Sequence, residues 1–376
     1  MWSIFKLFFI LGWVSFGGPA AHIGYFRQAF VEKHKWLDDN EYAQIVALSQ
    51  FLPGPGSSQV GFALGYKKGG VLGACAAFVG FTLPSMLIML GLAMASSQII
   101  GTSVYQSIVH GLKLLAVVVV ADATWGMYKN FCKTKLTAGI CVATTCSLLI
   151  LPGISTQMVA LVIAALIGGS FMRTEAKSDL QPFKPSIIPL VLFMVLLIGL
   201  PLISHYSPMI DLFGHFYQAG SFVFGGGHVV LPLLQSLIGE QVSQDVFMTG
   251  YAAAQAVPGP MFTLATYIGY QMSSSPILGA LVATLAVFLP GFLLLLAVLK
   301  NWQRLAGNPK MAGAILGVNA SVVGLLLSAL YYPIFSGAIT SSIDVALVVL
   351  GFYLYKSLNL SVLWMILYFL FAGMLL

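Results

Sequence analysis

Between Leu48 and Tyr66 an apolar chain reads Leu48-Ser-Gln-Phe-Leu-Pro-Gly-Pro-Gly-Ser-Ser-Gln-Val-Gly-Phe-Ala-Leu-Gly-Tyr66, and its centre is Pro53-Gly54-Pro55-Gly56. Proline removes a backbone donor and clashes with the preceding turn, and glycine adds backbone freedom, so no continuous helix passes through this stretch. Gln255-Ala-Val-Pro-Gly-Pro-Met-Phe-Thr, followed by Gly269-Tyr270, repeats the device farther along the chain. A chain dissolved in lipid tolerates such a break only where the freed backbone groups are buried in protein or line a wet cavity. Two matched, broken apolar segments are the strongest sequence pointer to a carrier's binding site.

Lipid as the solvent follows from composition. Of 376 residues, 59% are hydrophobic and only 7% charged, against roughly 25% charged in soluble domains. The fold expected is an all-α polytopic membrane protein. Its net charge of +6 lies in short basic clusters between apolar runs, the pattern of cytoplasmic loops rather than of a nucleic-acid surface. The run from Trp2 reads as a mature span without a cleavage site. Cys75, Cys132, Cys141 and Cys146 form no C-x-x-C pair and read as packing residues, so neither metal nor cofactor is expected.

Apolar runs of spanning length are expected at Trp2–Phe16, Asn40–Tyr66 (broken), Val71–Ala95, Tyr105–Tyr128, Leu136–Leu151 and Thr156–Met172. After a polar linker, Arg173–Lys184, and one further span, Ile187–Ile203, the pattern restarts. It continues with Ile210–Phe224, Asp245–Tyr270 (broken), Ile277–Leu299, Met311–Tyr331, Ala338–Tyr355 and Leu360–Leu376. Phe16-Gly17-Gly18 answers Phe224-Gly225-Gly226, Gln50 and Pro53-Gly54-Pro55 answer Gln255 and Pro258-Gly259-Pro260, and Gly65-Tyr66 answers Gly269-Tyr270. Leu83-Pro84 likewise answers Leu289-Pro290, and Gly111-Leu-Lys113 answers Gly317-Val-Asn319, with offsets held between 204 and 208. The expected organisation is therefore a repeat at 1–172, a linker with one span at 173–204, and a second repeat at 205–376.

Loop charge reverses between the halves. Lys129, Lys133 and Lys135 mark one basic loop, and Lys300–Lys310 and Lys356 fall where the first half's counterparts have no charge. Inverted repeats of about six membrane segments each are expected. If the broken segment crosses fully, the preferred reading, there are thirteen passes, and Arg27, Lys33 and Lys35 fall on the wrong side. A re-entrant hairpin at Asn40–Tyr66 repairs that loop, but keeps the inversion only if another pass is also miscounted.

The ordered motifs Phe16-Gly-Gly-Pro-Ala-Ala-His22, Leu52-Pro-Gly-Pro-Gly56, Gly65-Tyr66 with Gly69, and Phe81-Thr-Leu-Pro84, echoed in the second half, resemble the chromate ion transporter (CHR) family in its two-domain form. The resemblance implies a multi-pass carrier of the bacterial inner membrane that moves chromate, a tetrahedral dianion, out of the cell, with sulfate as a chemical look-alike. Gly225-Gly226-Gly227-His228 departs from the pattern by lacking proline.

The residues supply their own candidates for substrate binding. At the breaks these are Gln50, Pro53, Gly54, Pro55, Gly56, Ser57 and Ser58, with Gln255, Pro258, Gly259, Pro260 and Thr263 opposite. Free N–H groups and positive dipole ends of the following half-helices suit an anion, and the hydroxyls and amides add donors. Gly17, Gly18 and their echoes Gly225 and Gly226 let backbone approach a ligand; His22 and Arg27 follow, Arg27 offering a planar fork for an oxyanion. Lys113, His110 and Asp122 lie inside an expected span, where charge defaults to function. Lys113 and its counterpart Asn319 are read as donors facing the pathway, and Asp122 as a coupling or pairing site. The competing readings are a packing kink at the breaks, a snorkelling arginine, and a misplaced span around Lys113.

No P-loop and no soluble nucleotide-binding segment appears, so ion gradients must drive transport. No protease-like constellation is present at membrane depth, and the expectation is a transporter rather than an enzyme or a channel. The partners expected are the lipid bilayer and a small inorganic oxyanion, with no nucleic acid and a homodimer as the one assembly left open.

Overall fold

The structure, a computed structural model, describes residues 1–16, 18–99, 102–172, 185–223, 234, 237–238, 241–300 and 308–375. All the regular elements among them are helices. Gly17, Gly225, Gly226 and the linker 173–184 lie outside the described residues. The chain forms two compact units: Met1–Gln106 with Ser186–Leu234 and Ile238–Leu299, and Ser107–Pro185 with Gln235–Leu237 and Lys300–Leu376. Each unit takes segments from both halves of the sequence.

The first unit opens with α1 (Trp2–Val14) and α2 (Gly18–Phe26), which a π-helical turn, Arg27–Lys33, extends. The chain reverses between α1 and α2. Phe8 packs on Phe26 and Phe30, with ring centroids 5.6 and 4.8 Å away. Next come α3 (Asp39–Phe51), N-capped by the Asp38 carboxylate on Glu41 N–H, and α4 (Gly56–Ile99). α4 is two arms: Gly69 and Gly70 leave helical geometry, and there the chain folds back so tightly that a Cβ on Gly65 would stand 2.5 Å from Gly73 O.

α3 and the first arm of α4, residues 56–68, also form a hairpin. Glu41 at the start of α3 pairs with Lys67 at the end of the arm. This corrects the expectation that Asn40–Tyr66 crosses. Each leg is 13 residues or about 20 Å long at 1.5 Å per residue, short of a ~30 Å hydrocarbon core. The glycine–proline break turns the chain back because no helix can continue through it. α1 with α2 is a second such hairpin, so Trp2–Phe16 is not a complete pass either. Met1, Arg27, Asp39, Glu41, Lys67 and Lys68 gather at one end of this unit. Arg27 pairs with Glu32 and Asp39, Lys68 sits over Trp36, and a Cβ on Gly69 would touch Met1.

The rest of the unit contains α8 (Ile187–Ile203), α9 (Pro208–Phe222), α10 (Gln244–Ala256), α11 (Leu264–Met272) and α12 (Pro276–Val298). α10 and α11 pack closely enough that a Cβ on Gly250 would meet the Tyr267 ring at 2.6 Å. Contacts recur at the repeat offset: Gly12 lies on Phe81 and Pro84, as Gly220 does on Val287 and Pro290, and Gly65 meets Gly73 as Gly269 meets Gly279. The two halves join through Phe62 stacked on Phe292 at 4.2 Å and Phe78 on Phe288 at 5.1 Å.

The second unit contains α5 (Ser103–Phe131), α6 (Lys135–Ile150), α7 (Ile154–Phe171), α13 (Pro309–Ala329), α14 (Ser342–Lys356) and α15 (Val362–Leu375). Glycines set its seams. Gly111 on α5 lies against Phe369 O on α15, and Gly317 on α13 lies against Ala164 O on α7. Such backbone contact is how helices associate where lipid removes the hydrophobic drive.

Among the described residues five helical stretches are long and apolar enough to cross a membrane: Gly56–Ser96, of which the second arm of α4 is the part beyond the fold-back at Gly69 and Gly70, Tyr105–Phe131, Ile187–Tyr206, Pro276–Val298 and Pro309–Ala338. α8 exposes Ile188, Val195, Ile198 and Leu202, a surface that suits lipid rather than water. The protein is an all-α, multi-pass membrane protein.

Candidate functional site

At both breaks the backbone leaves regular structure inside the first unit. Gly54 has φ +120° and Gly259 φ +98°, a region that L side chains rarely enter. Each break is pinned by the other half of the sequence. Gly54 N–H donates to Val223 O at the end of α9 (2.6 Å), and Gly259 N–H donates to Ser15 O just past α1 (2.9 Å). Each glycine also abuts the other half's Leu-Pro helix: a Cβ on Gly54 would stand 2.9 Å from Gly291 Cα, and one on Gly259 would stand 2.9 Å from Ser85 Oγ. The sequence pairs Gly54 with Gly259, while the structure crosses them over.

The first half's break carries the polar groups. The first arm of α4 begins at Gly56, so the N–H groups of its first turn have no helical partner. His22 is fully buried, edge-on to Phe81 with centroids 5.2 Å apart. Its Nε2 lies 3.1 Å from Ser15 O and its Nδ1 3.1 Å from Ser57 Oγ. A carbonyl only accepts, so Nε2 carries the proton, and the Ser57 hydroxyl donates to Nδ1. Gln59, also fully buried, donates from Nε2 to Pro53 O (2.8 Å) and Gly291 O (3.1 Å). Those bonds fix the amide orientation and leave Oε1 unpartnered.

Ser15 Oγ, Ser58 Oγ and Thr82 Oγ1 are also buried without a partner in this unit, as is Gln255 Nε2. A buried polar atom without a hydrogen bond costs about 1–3 kcal/mol. Ser58 and Gln59 lie at the start of α4 and Ser15 is tied to it through His22, so this start is a place that water or a ligand completes. Gln50 is exposed beside this start, its Nε2 3.8 Å from where a Cβ on Gly56 would lie.

The second half's break is more apolar. Met261, Phe262 and Leu264 are buried where the first half has Gly56, Ser57 and Gln59. A 3-10 turn, Met261–Thr263, precedes α11, and the Thr263 hydroxyl is committed to Pro260 O at 2.8 Å. Pro53, Pro55, Pro258 and Pro260 frame the two turns; Gly18 opens α2.

The remaining candidates lie elsewhere. Arg27 is half exposed in its ion pairs with Asp39 (2.8 Å) and Glu32 (2.5 Å), which hold its guanidinium pKa above the usual range. Lys113, Asp122 and Asn319 belong to the second unit. Asp122 pairs with Lys356 at 2.5 Å. Asn319 is buried with Oδ1 unpartnered. His110 meets Asp344 at 2.8 Å, whose other oxygen accepts from Thr340 and from Ser341 N–H.

Sequence reasoning missed Ser15, Gln59, Thr82 and Asp344. Gln59 carried a signal, as an amide inside an otherwise apolar helical arm, and Ser15 and Thr82 flank or sit within motifs already marked. Asp344 carried none until α14 was brought to α5.

The family model described as Chromate transporter matches residues 2–170 and 210–374. An uncharacterized transporter of Methanocaldococcus jannaschii is 30% identical over 87% of this chain and 82% of its own. A probable chromate transport protein of Synechococcus elongatus is 30% identical, covering 86% of this chain and 82% of that one. A chromate transport protein of Cupriavidus metallidurans is 28% identical over 86% and 80%. No solved structure matches the chain significantly. With most of its length matched in two regions and full-length relatives named as transporters, the chain belongs to the chromate transporter family.

Proposed function

We propose that the protein is a secondary transporter that exports chromate across the bacterial inner membrane by alternating access, with sulfate as a secondary substrate. The observation that carries this reading is the first half's break: a buried helix start, set among unpartnered polar side chains, inside a membrane protein. A tetrahedral dianion needs donors at several corners and a positive potential. The first-turn N–H groups, the positive end of the helix dipole, Ser58 and Gln50 supply them. With the interior negative, each charge gains roughly 2.3 kcal/mol per 100 mV on leaving, and a dianion gains about twice that. Export therefore runs down the voltage, and import needs coupling.

The hairpins also support an inverted arrangement of two repeats. With α1–α2 and α3–α4 both turning back, neither adds a crossing. From the start of α1 to the start of α9 the crossings are the second arm of α4, then α5, α6, α7 and α8, an odd number. Treating α6 and α7 as a pair that does not cross leaves the parity unchanged. The two miscounted passes cancel, so the inversion survives the correction. Arg27, Lys33, Lys35, Lys67 and Lys68 then fall on the same side as Lys129, Lys133, Lys135, Lys300, Lys310 and Lys356, the cytoplasmic one by the positive-inside rule. Single-cysteine variants at Lys33 and Lys300, on a background with the four native cysteines replaced, should both be shielded from an impermeant maleimide in right-side-out cells and labelled in everted vesicles. Opposite behaviour at the two positions sinks this order.

Lys113 sits within Tyr105–Phe131, a helix of spanning length, where an ammonium is retained for a reason. Lys113→Ala should reduce chromate efflux from everted vesicles several-fold. Lys33→Ala should change it little, because that loop charge is screened by water within about a Debye length. Equal activity of the two variants at matched expression removes Lys113 from the pathway.

A further inference from the structure

We propose that His22 is a proton site linked to anion binding, and that it acts by releasing the Ser57 hydroxyl to the oxyanion. The inference rests on the oxyanion site proposed above and names the coupling ion for it. Ser57 is in the first turn of α4, yet its hydroxyl hydrogen is already spent on His22 Nδ1, 3.1 Å away. His22 Nε2–H is held by Ser15 O, the same carbonyl that receives Gly259 N–H from the opposite break. The imidazole therefore has one open protonation position, Nδ1, and that position faces the helix start.

When a proton from water adds to Nδ1, the hydrogen bond to Ser57 reverses. Nδ1–H then donates to Ser57 Oγ, and the hydroxyl hydrogen turns toward the site. The anion gains one more donor and a neighbouring positive charge, while Ser15 O keeps its bond to Nε2–H. In the empty site, burial against Phe81 and the lack of a carboxylate partner favour the neutral ring. A dianion beside the first turn reverses that preference. Proton and oxyanion thus bind together, each raising the other's affinity by the same factor. The loaded site carries one net negative charge rather than two.

Other titratable groups do not take this role. Elements packed around α2 bring Lys6 on α1, Asp39, Glu41 and Tyr42 on α3, and Tyr66, Lys67, Lys68 and Cys75 on α4, with Tyr25, Arg27, Glu32 and Lys33 on its own segment. Arg27 is held by Asp39 and Glu32, Lys67 by Glu41, and Tyr42 by Ile23 O. Both ring nitrogens of His22 are occupied by Ser57 and Ser15, so none of these groups touches it.

The test is chromate uptake into proteoliposomes at pH 7.5 and 8.5, where chromate is mainly the dianion, with a trapped pH dye reporting protons. Wild-type protein should lose about tenfold in apparent chromate affinity over that unit, the most a single linked proton gives, and should carry close to one proton with each chromate. His22→Gln keeps a donor for Ser15 O but cannot be protonated; its affinity should change less than twofold between the two pH values, with no dye response. Ser57→Ala, which does not depend on the His22 variant folding, should lower affinity at pH 7.5 and flatten the pH dependence to less than half the wild-type slope. Chromate flux without proton movement in wild-type protein, or a wild-type slope kept in either variant, overturns the inference. No chromate flux at all in wild-type protein overturns the transport reading instead.

Discussion

Gly54→Ala should abolish most chromate transport while leaving the protein in the membrane. The substitution meets two costs at one atom. Gly54 has φ +120°, where a Cβ costs roughly 1–2 kcal/mol. The same Cβ would stand 2.9 Å from both Gln59 Nε2 and Gly291 Cα. Gln59 can yield, but only by giving up Pro53 O and Gly291 O, the bonds that orient its amide at the site. Relief by moving the loop instead breaks Gly54 N–H to Val223 O and shifts the start of α4. A displacement worth about 1.4 kcal/mol at the binding groups is already tenfold in affinity, so at least a tenfold loss of flux at matched expression is expected. Gly259→Ala meets a weaker obstacle, because Ser85 Oγ is a side-chain atom that can rotate, and its break carries fewer polar groups. Its loss of flux should be the smaller of the two. Wild-type flux in Gly54→Ala would reduce the break to a packing kink.

The second large effect is expected on folding rather than transport. Gly317→Leu should strip the protein from detergent-solubilised, monodisperse fractions. A Cβ on Gly317 would lie 2.0 Å from Ala164 O and 3.1 Å from Gly168 Cα, and these are backbone atoms with no rotamer to change. α7 would have to move away bodily, against a cost of about 1–3 kcal/mol for overpacking and more if the seam opens. Gly111→Leu should behave alike, since Phe369 O stands 2.1 Å from its Cβ position. Gly139→Leu, with nothing within 4 Å of its Cβ, is the control. Thermal stability by size-exclusion chromatography reads the difference, and equal midpoints for Gly317→Leu and Gly139→Leu would contradict the seam.

The sequence legibly carried the solvent of this fold, the breaks and the repeat, because each is a local matter of composition or of proline and glycine chemistry. It did not carry the direction of the chain after each break. Periodicity and hydropathy measure length, and Asn40–Tyr66 is long enough to cross; the misplaced charges of Arg27, Lys33 and Lys35 pointed to a re-entrant hairpin, and the pairing of Glu41 with Lys67 shows that the segment returns. The crossing-over of the two halves was equally hidden. Gly54 and Gly259 look like independent copies until Val223 O and Ser15 O are found beneath the opposite ones. Among the site candidates, Ser57, Ser58 and His22 were readable from their place beside the break and do converge there. Arg27 was chosen for its chemistry alone, and the carboxylates of Glu32 and Asp39 occupy it at the exposed end of the unit.

The central claim is that the first half's break binds an oxyanion that the protein carries across the membrane. Its most direct test is the flux of radiolabelled chromate out of liposomes holding the purified protein, under an imposed inside-negative potential, for wild type and Gly54→Ala side by side. The account predicts saturable efflux from wild-type liposomes that rises with the potential and falls at least tenfold in the variant. Efflux no faster than from protein-free liposomes, or equal efflux from the two proteins, would contradict it.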